Sequence, residues 1–349
     1  MKMKKILAAL FVILSLCGVS SCSEDFEVTA PYKDITFVYA LLNMKDTAHY
    51  IRIQKAFLDE NKAAIDMAQE ADSNFYQNLE VKVREFHSGN LLQEFSLNKV
   101  DLAVEGFPKD SGAFFNAPNF AYKFKYKLNP SNTYRLVVLN PMNGYKDSSE
   151  INVIDTSRLS LNIANTGKLK FDKTIPTISN IYSLTVSNNS GSNAKYMEAF
   201  IRFFWDDKNL ATGTTKNNQA DFVIGSRATS SSTLEIFSTS NQSFYYFFQN
   251  VMGPAPNDVE RYLDSCDIYL YSGGIDYSNY VTAKSFHSGI TAEQSQPIFT
   301  NILGKDVYGL YSTKAIKYKI QMPIDPATMD SLLINPITNS LRIVGVTNH

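Results

Sequence analysis

From Phe120 to Leu128 the residues Phe120, Tyr122, Phe124, Tyr126 and Leu128 alternate with Ala121, Lys123, Lys125 and Lys127. A repeat of two puts one set of side chains on each side of an extended backbone, and a helix cannot segregate it. The stretch predicts a strand with an aromatic core face and a basic solvent face, and hence a sheet for the rest of the chain to join. Its three lysines are read as guards of an exposed strand against edge pairing, ahead of a site for an anionic polymer.

The same period recurs on either side. Asp34 to Leu42 is nearly continuous apolar sequence, as in a strand covered on both faces. Asn43 to Asp46 makes a turn, and His49 to Phe57 returns with Ile51 and Ile53 opposite Arg52 and Gln54, which predicts a hairpin. Between Asp59 and Asp72 the period lengthens: Ala64, Met67, Ala68 and Ala71 mark one face of a short helix, with Asp59 as its cap. Leu79, Val81 and Val83 outline a strand, Ser88-Gly89-Asn90 a turn and Leu91 to Leu97 a further strand. Asn98 to Pro118 reads as a long loop. Thr133 to Leu139 and Glu150 to Ile154 add two strands around the turn Pro141 to Gly144. Roughly seven strands between residues 34 and 155 predict an immunoglobulin-like or transthyretin-like β-sandwich.

From residue 156 to 349 a second β-rich α+β domain is expected. Leu159 to Ile163, Lys168 to Phe171, Tyr182 to Ser187 and Met197 to Trp205 read as strands, with Asp206-Asp207 as the turn closing the last. Adjacent residues of a strand point to opposite sides, so this pair is a poor start for calcium, which needs six to eight oxygens. Leu210 to Ser232 reads as loop with one strand at Asp221 to Gly225. Phe244, Phe247, Phe248 and Val251 fall at helical spacing between Ser240 as a cap and Gly253-Pro254 as a stop, which predicts a helix facing the core. Tyr245 and Tyr246 fall away from the centre of that stripe and are the ligand-binding candidates, since flat rings suit the apolar faces of sugars. Cys266 to Tyr271 reads as a strand, Tyr277 to Lys284 as a helix after Asp276, and Ile316 to Ile320 and Leu341 to Val346 as closing strands.

The chain of 349 residues carries 33 Lys+Arg against 34 Asp+Glu, a near-neutral balance without the basic footprint of a nucleic-acid binder. Its beginning gives an address. Lys2, Lys4 and Lys5 precede the apolar run Ile6 to Leu16, and Val19-Ser20-Ser21-Cys22 places small residues ahead of a cysteine. This is the pattern of a lipoprotein signal at residues 1–21, cleaved to leave a lipidated Cys22. Each buried methylene of the palmitate-type acyl chains adds about 0.8 kcal/mol, so two or three chains hold a soluble body on a membrane. Residues 22–33, with Ser23-Glu24-Asp25 and Pro31, read as an acidic tether. Cys17 leaves with the signal, so Cys266 is the one thiol of the body. Between aspartates at the start of a strand it reads as a buried core residue.

No catalytic constellation emerges. His49, His87, His287 and His349 have no ligand spacing, and metalloprotease, hydrolase, Walker and dinucleotide motifs are absent from the sequence. His49 and His87 lie beside strands and read as satisfied structural histidines. No cofactor or metal is expected, and the chain is expected not to be an enzyme.

Three stretches resemble an uncharacterised outer-membrane lipoprotein family of the Bacteroidota, filed as a domain of unknown function: Asp34 to Asn43 with Asp46 to Leu58, then Tyr196 to Phe203, then Pro297 to Tyr311. The similarity runs from about residue 34 to 320, and Lys305 stands where a second glycine would be expected. The resemblance implies a surface or periplasmic lipoprotein, often encoded near TonB-dependent receptors, with a sandwich domain leading into a mixed second domain. Ser23-Glu24-Asp25 resembles the acidic export signal of such lipoproteins.

Together these readings predict a non-catalytic binding or accessory protein of an outer-membrane nutrient-uptake system. It would be anchored through Cys22 and exposed at the cell surface, with the periplasmic face as the alternative. A glycan, a peptide or a TonB-dependent receptor would be its partner. The competing expectation is a structural or adhesive surface component.

Overall fold

The computed structural model describes residues 35–56, 64–112, 115–162, 167–171, 181–229, 233–286 and 299–346. The signal, Cys22, the acidic tether and Asp59 lie outside the described residues.

The chain is mainly β, as expected. Strands β1 (Thr36–Leu42) and β2 (Ala48–Lys55) form the predicted hairpin, with Val38 opposite Ile53. Two short helices follow, α1 (Ala64–Ala68) and α2 (Ala71–Asn74), and Met67 and Ala68 are buried beneath the first. Next come β3 (Glu80–His87), β4 (Asn90–Ser96), β5 (Asn98–Asp101), β6 (Phe120–Lys125), β7 (Thr133–Asn140) and β8 (Tyr145–Asn152). Strands β4-β3-β7-β8 form one sheet, and β1-β2-β6-β5 form a layer of another. The two close over Val38, Ile51, Val83, Tyr122 and Leu136, a sandwich core assembled by strand alternation.

The second half contains β9 (Leu159–Asn162), β10 (Ile181–Asn188), β11 (Tyr196–Asn209), β12 (Thr215–Ala228) and β13 (Leu234–Ser240). Helix α3 (Asn241–Met252), β14 (Val259–Gly273), α4 (Ile275–Phe286), β15 (Val307–Met322), α5 (Pro326–Ile334) and β16 (Ile343–Val346) complete it. Strands β13-β10-β9 and helix α3 pack on β11, β12 and β14 over Phe203, Phe222, Phe244 and Leu270.

One strand joins the halves. Val307 to Thr313 of β15 pair in parallel with β1, and the rest of β15 pairs antiparallel with β14. The result is a nine-stranded sheet in the order β12-β11-β14-β15-β1-β2-β6-β5, with β16 beside β14. Val307 and Tyr311 enter the first core and Ala315 the second. Odd-numbered residues of one strand share a face, so both smaller sheets lie on the same side of the large one. The domains expected at 34–155 and 156–349 therefore share a sheet. Gly309, at φ 131°, sits so close to β1 that a Cβ would lie 1.9 Å from the Val38 carbonyl oxygen, a spacing that only glycine tolerates.

Several expectations require correction. Strand β6 ends at Lys125, and at Lys123 it is paired by β2 on one side and β5 on the other, so that lysine guards no edge. Strand β1 is not covered on both faces, because Tyr39 stays 44% exposed. Asp206 and Asp207 close no turn but continue β11, opposite Asn217 and Lys216. Asp206 accepts from Asn217 Nδ2 at 2.6 Å, and Asp207 accepts from Arg261 Nε at 3.1 Å. Arg261 also donates to the Gly253 and Met252 carbonyls at the end of α3, so this buried cation is satisfied. The strand expected at Asp221 to Gly225 is the middle of the 14-residue β12, which takes up most of the supposed loop from Leu210. Helix α5 was unforeseen, although Pro326 at its start and Asp325 accepting from the Ala327 N–H at 3.0 Å are a regular opening.

Candidate functional site: an aromatic cleft on the outer face of the large sheet

The two tyrosines nominated from sequence divide. Tyr245 is fully buried with Phe244 and Phe248, whereas Tyr246 is 44% exposed. The core stripe of α3 runs through Asn241, Phe244, Tyr245 and Phe248, and Val251 faces solvent. Of the expected stripe, Phe244, Phe247 and Phe248 pack in the core and Val251 does not, and Tyr245 joins them as a packing residue and no ligand contact. Cys266 is buried as expected. Burial pushes its thiol up to about 12, and Sγ donates to the Met322 carbonyl at 3.6 Å. His49 is buried against Phe124 with Nε2 2.9 Å from the Tyr126 carbonyl. Burial lowers its pKa, so the ring is neutral at pH 7 and Nε2–H donates. Among the described residues no group of three or more potential metal ligands converges.

The structure gathers a different set. Strand alternation directs Tyr39 of β1, Tyr50 and Arg52 of β2, Tyr196 of β11, Tyr269 and Tyr271 of β14, and Tyr318 of β15 to the face away from both cores. Helix α4 lies over the middle of this face. It comes close because Gly273 has no side chain: a Cβ there would lie 2.2 Å from the Tyr277 ring. Gly274 likewise leaves room for Thr313. Tyr277 meets the Tyr196 ring edge-on at 5.5 Å.

Between α4 and the loop after β5 opens a cleft of about 820 Å³. Its floor carries Tyr39, Leu41 and Leu310, one wall Tyr277 and Tyr280, and the other Leu102 and Phe107. The loop wall is held by polar contacts: Glu105 accepts from Tyr50 Oη at 2.9 Å and pairs with Lys123. Tyr50 in turn meets Phe107 edge-on at 5.5 Å. Past Tyr277 the floor continues into a smaller cavity of about 240 Å³, lined by Leu41, Glu198, Tyr271, Lys314 and Ile316. Beyond it lies a flatter aromatic surface, where Phe200 stacks on Tyr269 at 5.1 Å and Arg202 covers both rings. Tyr318, 62% exposed, ends the row.

Two phenols of the cleft are held protonated at neutral pH. Burial, with Tyr280 alongside, raises the Tyr39 pKa, and burial with Tyr196, Glu198 and Tyr280 raises that of Tyr277. Each therefore offers one donor and two lone pairs beside an apolar ring. Flat rings with hydroxyl rims, two charged groups at the margins (Asp46 and Lys314) and an apolar floor suit a ligand that has CH faces and many hydroxyls. Sequence reading missed these residues because they come from positions 39, 107, 277, 280 and 310, each unremarkable within its own element. The available signals were Gly273-Gly274 ahead of Tyr277 and the Tyr-x-Tyr alternation at 269 and 271.

No protein-family model matches the chain. No curated protein matches it either. Among solved structures it is similar to the C-terminal globular domain of an oligosaccharyltransferase from Pyrococcus abyssi, at 9% identity and a TM-score of 0.20, over 67% of this chain. The match covers 44% of that structure, so the chain spans less than half of its length, and a superposition this loose carries no argument about fold or function.

Proposed function

We propose that the protein is a lipid-anchored, non-catalytic binding component of an outer-membrane nutrient-uptake system, and that it holds an oligosaccharide in the cleft between Tyr39 and Tyr277. The observation that carries this reading is the cleft itself: five aromatic side chains, Tyr39, Tyr50, Phe107, Tyr277 and Tyr280, around about 820 Å³ on the outer face of the sheet. Among the described lining residues Asp46 is the one carboxylate, whereas glycoside hydrolysis employs a pair, which favours binding over cleavage. Strands β1 and β2 pair only from Thr36–Lys55 to Tyr39–Arg52, and Ala40, Leu41, Ala48 and Tyr50 line the cleft beyond that pairing, so the preference for a glycan rests on the rings and their hydroxyls. Anchoring through Cys22 and partnership with a TonB-dependent receptor rest on the leader sequence and the family resemblance.

The alternative, a structural or adhesive component, draws on β12. This 14-residue strand is paired on one side only among the described residues, and an open edge of that length can accept a strand from another molecule. Glycan-array binding of the detergent-solubilised protein, repeated with Tyr39→Ala, tests the first reading. Binding that requires Tyr39 supports it, and a stable oligomer that ignores every glycan favours the second. Copurification of a receptor from solubilised membranes tests the proposed partnership, and a Cys22→Ala protein that still sediments with membranes would remove the anchor.

A further inference from the structure

Tyr39 also borders a third cavity, on the side away from α4. It has a volume of about 350 Å³ and is lined by Phe37, Arg52, Gln54, Lys55, Lys109 and Phe115 among others. Its described lining contains three cations and no carboxylate. Arg52 stands opposite Tyr39 across the β1–β2 pair, so its side chain rises from the same sheet face beside that ring. Among the described residues the buried Arg52 Nε has no hydrogen-bond partner, and the guanidinium faces the Phe75 ring at 5.9 Å. Lys109 is set on the far side, its Nζ donating to the Phe115 carbonyl at 3.0 Å and lying 5.6 Å from that ring. Desolvation lowers the pKa of both groups, and the Arg52 charge adds to the lowering at Lys109, so the two cations sense one another.

A half-buried guanidinium without an acid beside it carries a desolvation cost that nothing in the described protein offsets. A surface position would avoid that cost. Its planar fork fits a carboxylate or sulfate through two parallel hydrogen bonds, which an ammonium cannot reproduce. We infer that this cavity is an anion subsite of the groove, taking the carboxylate or sulfate of an acidic sugar residue adjacent to one stacked on Tyr39. The inference rests on the reading of the groove as a glycan site and narrows it to acidic oligosaccharides.

Calorimetric titration of the full-length protein in detergent tests it with three probes of equal length: a neutral oligosaccharide, a uronic-acid oligosaccharide and a sulfated one. The wild type is expected to bind an acidic probe more tightly than the neutral one, by a margin that shrinks as salt is raised. Arg52→Gln is expected to weaken the preferred acidic probe by about tenfold or more while leaving the neutral one unchanged. Arg52→Lys should recover little of the loss if the probe is a carboxylate held by the fork. Preference between the uronate and the sulfate identifies the anion. Should Arg52→Gln fail to fold, as judged by circular dichroism, Lys55→Gln at the same cavity carries the test, with a smaller loss in the same direction. Equal wild-type affinity for neutral and acidic probes, or variants with unchanged acidic binding, overturns the anion subsite and leaves the glycan reading standing. Failure of all three probes to bind overturns both.

Discussion

The two faces of the nine-stranded sheet are both aromatic, but they are aromatic in different ways. Beneath the second small sheet the rings are mostly phenylalanines: Phe171 lies flat on Phe244 at 4.0 Å, Phe248 meets Phe203 at 4.9 Å and Phe247 meets Phe222 at 5.0 Å. The opposite face carries mainly tyrosines, and the phenylalanine at position 200 is sealed by Arg202 and its neighbours. A phenol taken into a core must bring a partner for its hydroxyl, whereas at a wet surface it has water or a ligand. The alternation Ile268-Tyr269-Leu270-Tyr271 therefore records two different jobs on one strand. One face contributes to stability through burial, and on the proposed function the other presents rings for recognition.

The change expected to remove both faces at once is Gly309→Val. Its Cβ would collide with the Val38 carbonyl where β15 pairs with β1, and the positive φ adds strain. The variant is expected to lose more than about 4 kcal/mol and to be recovered chiefly as unfolded or aggregated protein. A cooperative denaturation midpoint close to wild type would refute the shared-sheet account. Phe244→Ala removes one ring from the inner cluster only. It should cost about 3–5 kcal/mol by chemical denaturation, with glycan affinity at temperatures below its transition unaltered.

How much of this was legible follows from the same contrast. Strands with one buried face announce themselves: β2, β3 and β6 are read from alternating apolar residues, and helix α3 from Ser240 and Gly253 at its ends. Of strand β12 only Asp221 to Gly225 was legible, because Thr215 to Ala220 extend the sheet beyond the core and bury little, leaving no hydrophobic period to detect. Asp206 and Asp207 misled for the same reason. Phase, too, lies beyond a run such as Phe244-Tyr245-Tyr246-Phe247-Phe248, where every residue is apolar enough for the core and packing alone takes in Tyr245 and leaves Tyr246 outside. The cleft was least legible, since parallel pairing of β1 with β15 brings residue 39 beside residue 310, and no local pattern encodes a pairing across that separation.

Two tyrosines on the inner side sharpen the rule. Tyr134 is buried, donates to Glu85 Oε1 at 2.8 Å and accepts from the Asn129 N–H at 2.7 Å. Among the described residues the buried Tyr311 hydroxyl has no hydrogen-bond partner. Tyr134→Phe is therefore expected to cost about 1–3 kcal/mol, and Tyr311→Phe to leave stability unchanged or raise it by about 1 kcal/mol. Equal effects in thermal denaturation would break the rule. Glu85 extends the test to pH. Burial alone would raise its pKa, but donation from Asn132, Tyr134 and Gln93 outweighs burial and holds the folded value below the usual one. A depressed carboxyl pKa contributes stability that is fully present above the unfolded value of about 4.3 and is lost as pH falls through the folded value. Denaturation midpoints followed downward from pH 6 should show that loss in wild type and a shallower one in Glu85→Gln.

The smallest expected effect on stability falls on the outer face, and there it is diagnostic. Tyr318 ends the row on a surface open to solvent, and Tyr39 lies 44% exposed between two cavities. Replacing either with serine removes little buried area, so the change in stability should stay within about 0.5 kcal/mol for Tyr318 and about 1 kcal/mol for Tyr39. Affinity should separate them. Tyr39 stands where the cleft and the cationic cavity meet, so a ligand spanning both loses its central stacking partner, worth about 1–1.5 kcal/mol or roughly tenfold in Kd. Tyr318 lies past the smaller cavity, so Tyr318→Ser should affect only a ligand long enough to cross Tyr271. Titrating both variants with oligosaccharides of increasing length therefore measures how far the ligand reaches along the sheet. A Tyr39→Ser loss that is absent at every length would show that the outer tyrosines, unlike the inner phenylalanines, are not placed by their role.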